Sequence, residues 1–357
     1  MNRGPASAAG EHFAAARQRF EDTARSCSDQ LHVREVDIAG ARVRLRLVGH
    51  TLAEYLTETF AHLHGNHTSA PPALEIDAWS ESETGAAAMP GVLRGASAFE
   101  ATMDGGSVSI SADEQFVAYR VGDNSVSWID RAASRIVASV RRPEDLLLRE
   151  RVKPFGALLP VWLRDRGVRV LHAAAVAEGG QALLLPGASG SGKSTCATFC
   201  VDAGLQYLGD DAVALEENGS GRFVVHSLYG GARMWPEAGR LLSGWSRDAI
   251  EPHSSGDEAK LLLFVGRRHR NRLVPQARVA AIAFPRVVGR GETCLRPLHA
   301  VAAVRALVAT SLFLSFRPEA SDMDQMLRLV RSLPAYSLEL GSDRSQIAAV
   351  VRGCLRG

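Results

Sequence analysis

A glycine-rich segment in the second half of the chain has the residue types and spacing that phosphate binding requires. It directly follows the apolar run at residues 183–186. Its residues are, in order, Gly187, Ala188, Ser189, Gly190, Ser191, Gly192, Lys193, Ser194 and Thr195. Glycines let a loop fold so that several backbone N–H groups converge on phosphate oxygens, and a helix starting at Lys193 would point its positive end at the same anion. The Lys193 ammonium would reach the β- and γ-phosphates and the Ser194 hydroxyl would ligate Mg²⁺, so the segment predicts binding of ATP and Mg²⁺.

Two adjacent acids, Asp210 and Asp211, follow the next predicted strand at residues 205–208. Neighbouring strands of an α/β sheet end at the same crevice, so we expect this pair to face the bound phosphates. Two like charges beside a phosphate are costly unless each has separate work. We therefore expect one carboxylate to bind Mg²⁺ and the other to accept the proton of an attacking hydroxyl. The alternative is a solvated turn before Ala212.

A single histidine, His172, lies in an apolar stretch at residues 168–176 that predicts a strand. A lone histidine in an apolar strand is usually a hydrogen-bonded core residue. Its position by itself therefore leaves both a packing role and a functional role open.

Taken together, these residues resemble the catalytic domain of HPr kinase/phosphorylase, a bacterial protein-serine kinase unrelated to the eukaryotic kinases. That family carries a histidine before a Gly-x-Ser-Gly-x-Gly-Lys-Ser loop and an Asp-Asp pair after it. Here His172 precedes Gly187 by fifteen residues, and Ser194 precedes Asp210 by sixteen. Both intervals are similar to those of the family, and the match covers residues 168–216.

The resemblance implies a role for each of these side chains. Asp211 would be the general base, influenced by His172, and Lys193 would also be catalytic. Asp210 and Ser194 would surround the metal. The fold implied is the small α/β phosphate-loop domain that the family shares with phosphoenolpyruvate carboxykinase.

The second signature of the family, a segment similar to Glu-x-Arg-Gly-Leu-Gly, is absent. Residues 226–233 stand in its place, which leaves phosphorylase activity and the identity of the acceptor open. The layout is more similar to divergent HPr-kinase-like proteins that include lasso-peptide precursor kinases, which phosphorylate a serine near the end of a small peptide. By that resemblance Tyr229, Arg233 and Lys260 are candidates for acceptor or phosphate contacts. Lys260 is one of only three lysines among 41 basic residues, which suggests a position where arginine does not serve.

Length and composition set the broad class. A chain of 357 residues predicts two domains, and a net charge of +2 gives no general attraction to nucleic acid or membranes. No run of about 18 apolar residues is present, and the five scattered cysteines do not form a disulfide framework. We expect a soluble cytoplasmic protein without a nucleic-acid or membrane partner, with homo-oligomerisation left open. Cys196 and Cys200 share a helix face and are expected to pack in the core.

The element pattern divides the chain near residue 150. Residues 1–150 predict a β-rich α+β domain for acceptor recognition or assembly, with a helix or loose arm at 1–28 and a hairpin of strands at 31–38 and 41–48. A helix is expected at 52–63, a strand at 73–79, an antiparallel meander within 85–131 and helices within 143–166. Residues 151–357 predict an α/β domain. Its strands are expected at 168–176, 181–186, 205–208, 212–215, 222–225, 279–284 and 335–340, and its helices at 193–202, 300–312, 323–333 and 343–355.

Two weaker patterns could be either functional sites or ordinary surface loops. The basic run at residues 267–272 is either a solvated loop or a dock for an acidic peptide or phosphorylated product. His62, His64 and His67 have metal-like spacing, but they lack companion carboxylates or cysteines, so a surface loop is favoured.

Three functions fit the sequence. The first is a Mg-ATP-dependent kinase that acts on a serine hydroxyl of a peptide or protein, including a ribosomal natural-product precursor peptide. The second is a small-molecule hydroxyl kinase with the same chemistry, and the third is a nucleotide-binding regulator that hydrolyses ATP slowly. The pair Asp210 and Asp211 favours the kinases, because a regulator needs a water-positioning residue and switch loops that the sequence does not reveal.

Overall fold

The computed structural model describes residues 8–63, 70–87, 97–103, 105–239, 245, 250–252, 260–311 and 319–356. The chain divides into two compact units, one of Met1–Glu58 with His64–Asp165 and one of Thr59–Leu63 with Arg166–Gly357. The main division falls after Asp165 rather than near residue 150. In the described part, none of the helices has the length and apolar character needed to span a bilayer.

The first unit is built on one large sheet. Its elements are α1 (Ala8–Ser26), β1 (Leu31–Ile38), β2 (Ala41–Val48), α2 (His50–Thr57), β3 (Leu74–Ser80), α3 (Glu81–Thr84), β4 (Ser97–Met103), β5 (Gly106–Ser111), β6 (Phe116–Val121), β7 (Ser125–Asp130), β8 (Arg135–Val140), α4 (Leu148–Val152) and α5 (Leu159–Asp165). The strand order in the described residues is β1-β2-β3-β8-β7-β6-β5-β4. Helix α1 covers one face of the sheet, where Phe13 and Phe20 pack with Trp79 and Trp128.

Local patterns predicted most of this unit. The hairpin of β1 and β2, the strand β3 and the meander are confirmed. Alternation of apolar and polar residues is a local signal of a half-buried strand, which is why these elements could be predicted. The helix expected at 52–63 ends earlier, at Thr57, and continues as a short 3₁₀ turn. Strand β8 was not predicted. It pairs in parallel with β3, a contact between distant segments that local periodicity does not report.

The second unit is a mixed α/β domain, which confirms the predicted class. Its elements are β9 (Arg169–Leu171), β10 (Ala173–Glu178), β11 (Gln181–Pro186), α6 (Lys193–Asp202), β12 (Gln206–Gly209), β13 (Val213–Glu217), β14 (Phe223–Ser227), β15 (Gly231–Met234), α7 (Pro236–Gly239), β16 (Ile250–Pro252), β17 (Leu261–Phe264), α8 (Val265–His269), β18 (Gln276–Val287), β19 (Cys294–Pro297), α9 (Ala300–Ser311), α10 (Ala320–Ser332), β20 (Ala335–Leu340) and α11 (Ser345–Arg356). The main sheet runs β12-β10-β11-β18-β14-β13-β9, with β20 between β18 and β19. A smaller sheet has the order β15-β17-β16.

Helices cover both faces of the main sheet. Successive residues of β11 point to opposite sides, so Leu183 packs in the core beneath α6 and α11, and Leu184 packs in the core beneath α9 and α10. Cys196 and Cys200 are fully buried in the first of these cores, which confirms their predicted packing role. The two cores hold the central strands rigidly, so the loops at the strand ends have fixed starting positions.

The strand expected at 168–176 is interrupted at His172. Before the interruption Leu171 of β9 pairs with Val213 of β13, and after it Ala175 of β10 pairs with Gly209 of β12. The two pairs that flank the gap share one register, and the pairing of β10 with β12 shifts register between Ala175 and Val176. At that gap the ladder opens, and residues 172–174 lie opposite residues 210–212.

The parallel strands β11, β18 and β20 end at the same edge of the main sheet. In register, Leu184 lies beside Ile282, and Val287 lies beside Leu340. The carboxyl ends of parallel strands commonly hold ligands. The glycine-rich loop that follows β11 therefore lies close to the segments that follow β18 and β20.

The segment after β20 is clamped by the loop after β18. The Gly341 N–H donates to Thr293 Oγ1 at 3.0 Å, Ser342 N–H donates to the Arg290 carbonyl at 3.0 Å, and Asp343 N–H donates to the Gly291 carbonyl at 2.9 Å. A Cβ atom at position 341 would lie 2.5 Å from the Glu292 carbonyl oxygen. Only glycine fits there without a backbone shift.

Two glycine-to-alanine changes test this clamp. Gly341→Ala is expected to lower the free energy of unfolding by about 1 to 3 kcal/mol, because its methyl group must displace backbone. Gly353→Ala is the matched control on α11, where the added Cβ meets nothing within 4 Å and alanine is the better helix former. It is expected to be neutral or to stabilise by up to about 1 kcal/mol. Denaturant unfolding measures both, and equal stability of the two variants would contradict the clamp.

Candidate active site

The glycine-rich loop, residues 187–192, connects the end of β11 to the start of α6. Ser191 N–H donates to the Ala188 carbonyl at 3.2 Å, which closes a tight turn. Gly192 precedes the helix with φ of +101°, and a Cβ there would lie 2.5 Å from Leu340 Cδ1. The loop therefore has the backbone conformation and close approach that glycine alone allows.

Lys193 is folded back onto its own loop. Its Nζ donates to the carbonyls of Gly187 at 2.7 Å and Ala188 at 3.1 Å, and it lies 3.2 Å from His172 Nε2. The side chain is 4% exposed. Burial lowers the pKa of the Lys193 ammonium, and the nearby Asp210 and Asp211 oppose that shift. The ammonium is thus held where anionic oxygens would stabilise it.

His172 connects the lysine to the carboxylates. Its Nδ1 lies 3.1 Å from the Asp211 carbonyl, which can only accept, so Nδ1 carries a proton. A neutral ring then leaves Nε2 to accept from Lys193 Nζ. The same Nε2 lies 3.9 Å from Asp211 Oδ1. His172 therefore fixes both the Asp211 backbone and the direction of the Lys193 ammonium.

Asp211 is held by an arginine from the smaller sheet. Arg233, on β15, donates from Nε at 3.1 Å and from Nη2 at 2.7 Å to Asp211 Oδ2. Both side chains are largely buried. Asp211 has φ of +64°, a conformation that aspartate adopts more readily than most residues. The gap in the ladder, the left-handed backbone and the ion pair together fix the position of this carboxylate.

Asp210 is fully buried, and neither of its carboxylate oxygens has a hydrogen-bond partner among the described residues. Burial, and then the charge of Asp211, raise the pKa of Asp210 to about 6. The Lys193 ammonium and the Ser194 side chain lower the pKa of Asp210 in part, although Ser194 falls short of hydrogen-bond geometry. A buried carboxylate without a partner is costly, and a bound cation would relieve that cost.

The residues present fit Mg²⁺ held together with a triphosphate. No cluster of three histidine, cysteine or acidic side chains in the described part of the chain could hold a metal by itself. Mg²⁺ is commonly bound by one or two carboxylates, phosphate oxygens and water. Ser194 and Asp210 would hold the ion there.

A cavity of about 350 Å³ adjoins these groups, within the usual range for small-molecule sites. It is lined by Ser189, Gly190, Gly192, Lys193, Ser194, Thr195, Asp211, Arg233, Met234, Trp235, Glu237, Lys260, Val287, Leu340, Gly341, Arg344 and Ile347. Its cationic side chains outnumber its carboxylates. A polyanionic ligand would balance that charge.

Two of the three candidate substrate residues line this cavity. Arg233 does so while paired with Asp211, and Lys260 does so with Nζ 5.0 Å from the centre of the Trp235 ring. Tyr229 does not. Its side chain is 1% exposed, its ring centre lies 5.5 Å from that of Phe60, and burial raises the pKa of its hydroxyl. The structure therefore gives Tyr229 a place in the core rather than in the cavity.

Several cavity residues were missed by sequence reasoning. Five of them are Trp235, Val287, Leu340, Arg344 and Ile347. Four of them come from segments that meet only through the pairing of β18 with β20 and the packing of α11, so no local spacing marks them. Trp235 is 45% exposed, but exposure cannot be read from sequence.

The basic run at 267–272 has contacts within its own unit. Arg268 and His269 contact Asp202. Arg272 donates to the Gly204 carbonyl at 2.8 Å, at the end of α6. Cations at that end complement the helix dipole. These contacts favour the structural interpretation of the run over the dock.

The histidine-rich segment is described only in part. His62 Nε2 lies 2.6 Å from Ser227 Oγ. His64 and His67 lie outside the described residues.

No protein-family model matches this chain, and no curated protein matches it significantly. Among solved structures, the chain is similar to the HPr(Ser) kinase/phosphatase from Coxiella burnetii over 52% of this chain and 95% of that one, with 14% identity and a TM-score of 0.28. A likeness of that strength does not indicate an activity.

Asp210 gives the ligand-free chain a distinctive pH dependence. A raised pKa means that the folded protein binds this proton more tightly than the unfolded chain, so the stability contribution of Asp210 falls as pH rises from about 4 through about 6. Asp210→Asn cannot ionise and is expected to be more stable than wild type by about 1 to 3 kcal/mol near pH 8 with chelator present. That advantage should shrink steadily as pH falls towards 4.

Thermal unfolding at several pH values measures this effect. Asp324→Asn, at an exposed position on α10, is the matched control and is expected to change stability by less than about 0.5 kcal/mol. A less stable Asp210→Asn variant near pH 8 would show that the protein itself satisfies this carboxylate.

Proposed function

We propose that this protein is a Mg-ATP-dependent kinase that transfers the γ-phosphoryl group to a hydroxyl acceptor. One observation carries the proposal. The glycine-rich loop, the Lys193 ammonium and the Asp211 carboxylate meet in one cavity, beside a buried Asp210 that has no described hydrogen-bond partner. Phosphoryl transfer needs donors for the phosphates, a cation site and an acceptor for the hydroxyl proton, and the loop with Lys193, Ser194 with the buried Asp210, and Asp211 would supply them.

The loop and Lys193 would bind the phosphates. In the ligand-free chain Lys193 Nζ is directed to the carbonyls of Gly187 and Ala188. Phosphate oxygens are stronger acceptors for an ammonium than neutral carbonyls, so nucleotide binding would exchange these partners. Mg²⁺, held by Ser194 and Asp210, would neutralise charge that develops on the transferred group.

Asp211 would accept the proton of the attacking hydroxyl. Its ion pair with Arg233 fixes the position of the carboxylate, and phosphoryl transfer depends mainly on positioning. His172 would act as a positioning residue, since it holds the Asp211 backbone and the Lys193 ammonium.

We further propose a serine hydroxyl of a peptide or protein as the acceptor, with a ribosomal natural-product precursor peptide as one such substrate. The support is the sequence resemblance across residues 168–216. The cavity chemistry by itself is equally compatible with a small-molecule hydroxyl. Arg233, which is paired with Asp211, and Lys260 both line the cavity and would contact the acceptor or the transferred phosphoryl group.

Replacement of the proposed base separates chemistry from binding. Asp211→Asn keeps the size of the side chain but removes the proton acceptor, so transfer is expected to fall by at least about a hundredfold. ATP affinity, measured by calorimetry, should stay within a few-fold of wild type. Asp324→Asn is the control of the same chemical change at an exposed position and should retain full activity.

The acceptor is identified with γ-labelled ATP, Mg²⁺ and host extract separated into protein, peptide and metabolite fractions. Acid-stable phosphoserine that forms only with wild type would support the peptide or protein kinase. Label on a metabolite would select the small-molecule kinase. Release of free phosphate alone, at equal rates in wild type and Asp211→Asn, would replace both with the regulatory ATPase.

A further inference from the structure

The cavity has two chemically different ends. One end carries the glycine-rich loop with Lys193, Asp211 and Arg233. The other is formed by apolar side chains from three separate segments, namely Val287, Leu340 and Ile347, with the Arg344 guanidinium beside them. We call this second group the apolar ledge. Phosphate binding does not explain the apolar ledge, since apolar side chains cannot donate hydrogen bonds to phosphate oxygens.

The two ends are joined at Gly192. The position of its absent Cβ lies 2.5 Å from Leu340 Cδ1 and 3.3 Å from Val287 Cγ2, so the ledge touches the glycine-rich loop directly. Val287 supplies the exposed apolar surface of the ledge, since it is 66% exposed while Leu340 and Ile347 are 4% and 1% exposed. A flat, apolar ligand group would cover it and remove that surface from water.

Arg344 marks the direction in which a ligand would extend. Its guanidinium carbon lies 5.4 Å from the centre of the Phe199 ring. Phe199 is on α6, about one helical turn beyond Thr195, which lines the cavity. A nucleotide with its terminal phosphate near Asp211 would therefore carry its other end past Thr195 and towards Arg344.

Arg344 is held in place and retains donor capacity. Its preceding backbone is fixed by the loop after β18, through the hydrogen bonds of Gly341, Ser342 and Asp343. The Nη1 atom is buried and has no hydrogen-bond partner among the described residues. Arginine can only donate, so the missing partner must be an acceptor. The ring nitrogens on the edge of a purine base are such acceptors.

We propose that the apolar ledge and Arg344 bind the purine base of the nucleotide, an inference that rests on the proposed nucleotide site. The face of the base covers Val287 and lies against the largely buried Leu340 and Ile347, and Arg344 donates to its edge. Trp235 is the rival platform for the base. It follows Arg233 by two residues, on the Asp211 side of the cavity, where the γ-phosphate must meet the acceptor. The base therefore belongs at the other end.

Calorimetry with two ligands tests the proposal. Full-length protein is titrated with ATP and with inorganic tripolyphosphate, each with Mg²⁺, so that the nucleoside contribution is the ratio of the two affinities. Wild type should bind ATP more tightly than tripolyphosphate. Arg344→Ala should weaken ATP by about tenfold to a hundredfold and leave tripolyphosphate unchanged. Unchanged tripolyphosphate binding also shows that the variant is folded.

Three further variants complete the design. Arg356→Ala is the matched control, because Arg356 lies on α11, the helix that begins directly after Arg344, and is paired with Glu178 outside the cavity lining; it should change neither affinity. Val287→Ala alters only an exposed side chain and should weaken ATP selectively. Trp235→Ala should leave the ratio of the two affinities unchanged.

Several outcomes would overturn the proposal. Equal loss of both ligands in Arg344→Ala would make Arg344 a phosphate ligand. Equal affinity of wild type for both ligands would show that the protein does not contact the base. Selective loss of ATP in Trp235→Ala alone would move the base to the rival platform. If wild type bound neither ligand, the proposed function itself would fall.

Discussion

Two neighbouring carboxylates are kept inside the second unit, and the cost of burying their charge organises the groups around them. Asp211 is balanced by Arg233 from a separate sheet, while Asp210 has no described hydrogen-bond partner and has its pKa raised by burial to about 6. Lys193 and His172 complete the cluster. Since a buried like-charged pair is stable only with compensating cations, the site is balanced at Asp211 and deficient at Asp210. A metal ion bound together with a phosphate chain would supply the positive charge that is missing near Asp210.

A break in the antiparallel pairing of the main sheet brings these groups together. The antiparallel pairing is interrupted between the pair of Leu171 with Val213 and the pair of Ala175 with Gly209. Regular pairing there would commit backbone groups of residues 172–174 and 210–212 to the sheet. The gap instead lets His172 donate to the Asp211 carbonyl and lets Asp211 adopt its left-handed conformation. Packed cores on both faces of the sheet hold the two sides of the gap in place.

Much of this was predictable from contiguous residues. The loop after β11, the helix at Lys193 and the acids after β12 are local patterns, and alternation revealed most strands of the first unit. The rest depends on contacts between distant segments. Arg233 reaches Asp211 from another sheet, and the apolar ledge is assembled by the pairing of β18 with β20. The same reason explains why β8 and the break at His172 were missed, and why Tyr229 was expected in a cavity from which its packing against Phe60 removes it.

The clamp between the segment after β20 and the loop after β18 has a consequence for how such a site can diverge. The glycine-rich loop and the acids lie within residues 187–211, whereas Arg344 and the ledge lie beyond residue 286. Substitutions or length changes in the loop at 288–293 would shift Arg344 without altering the order of residues around Lys193. The residues that would discriminate between nucleotides could therefore change in evolution separately from the residues that would perform the transfer. In evolutionary terms, the two parts of one cavity could change separately except at Gly192, where Leu340 and Val287 contact the loop.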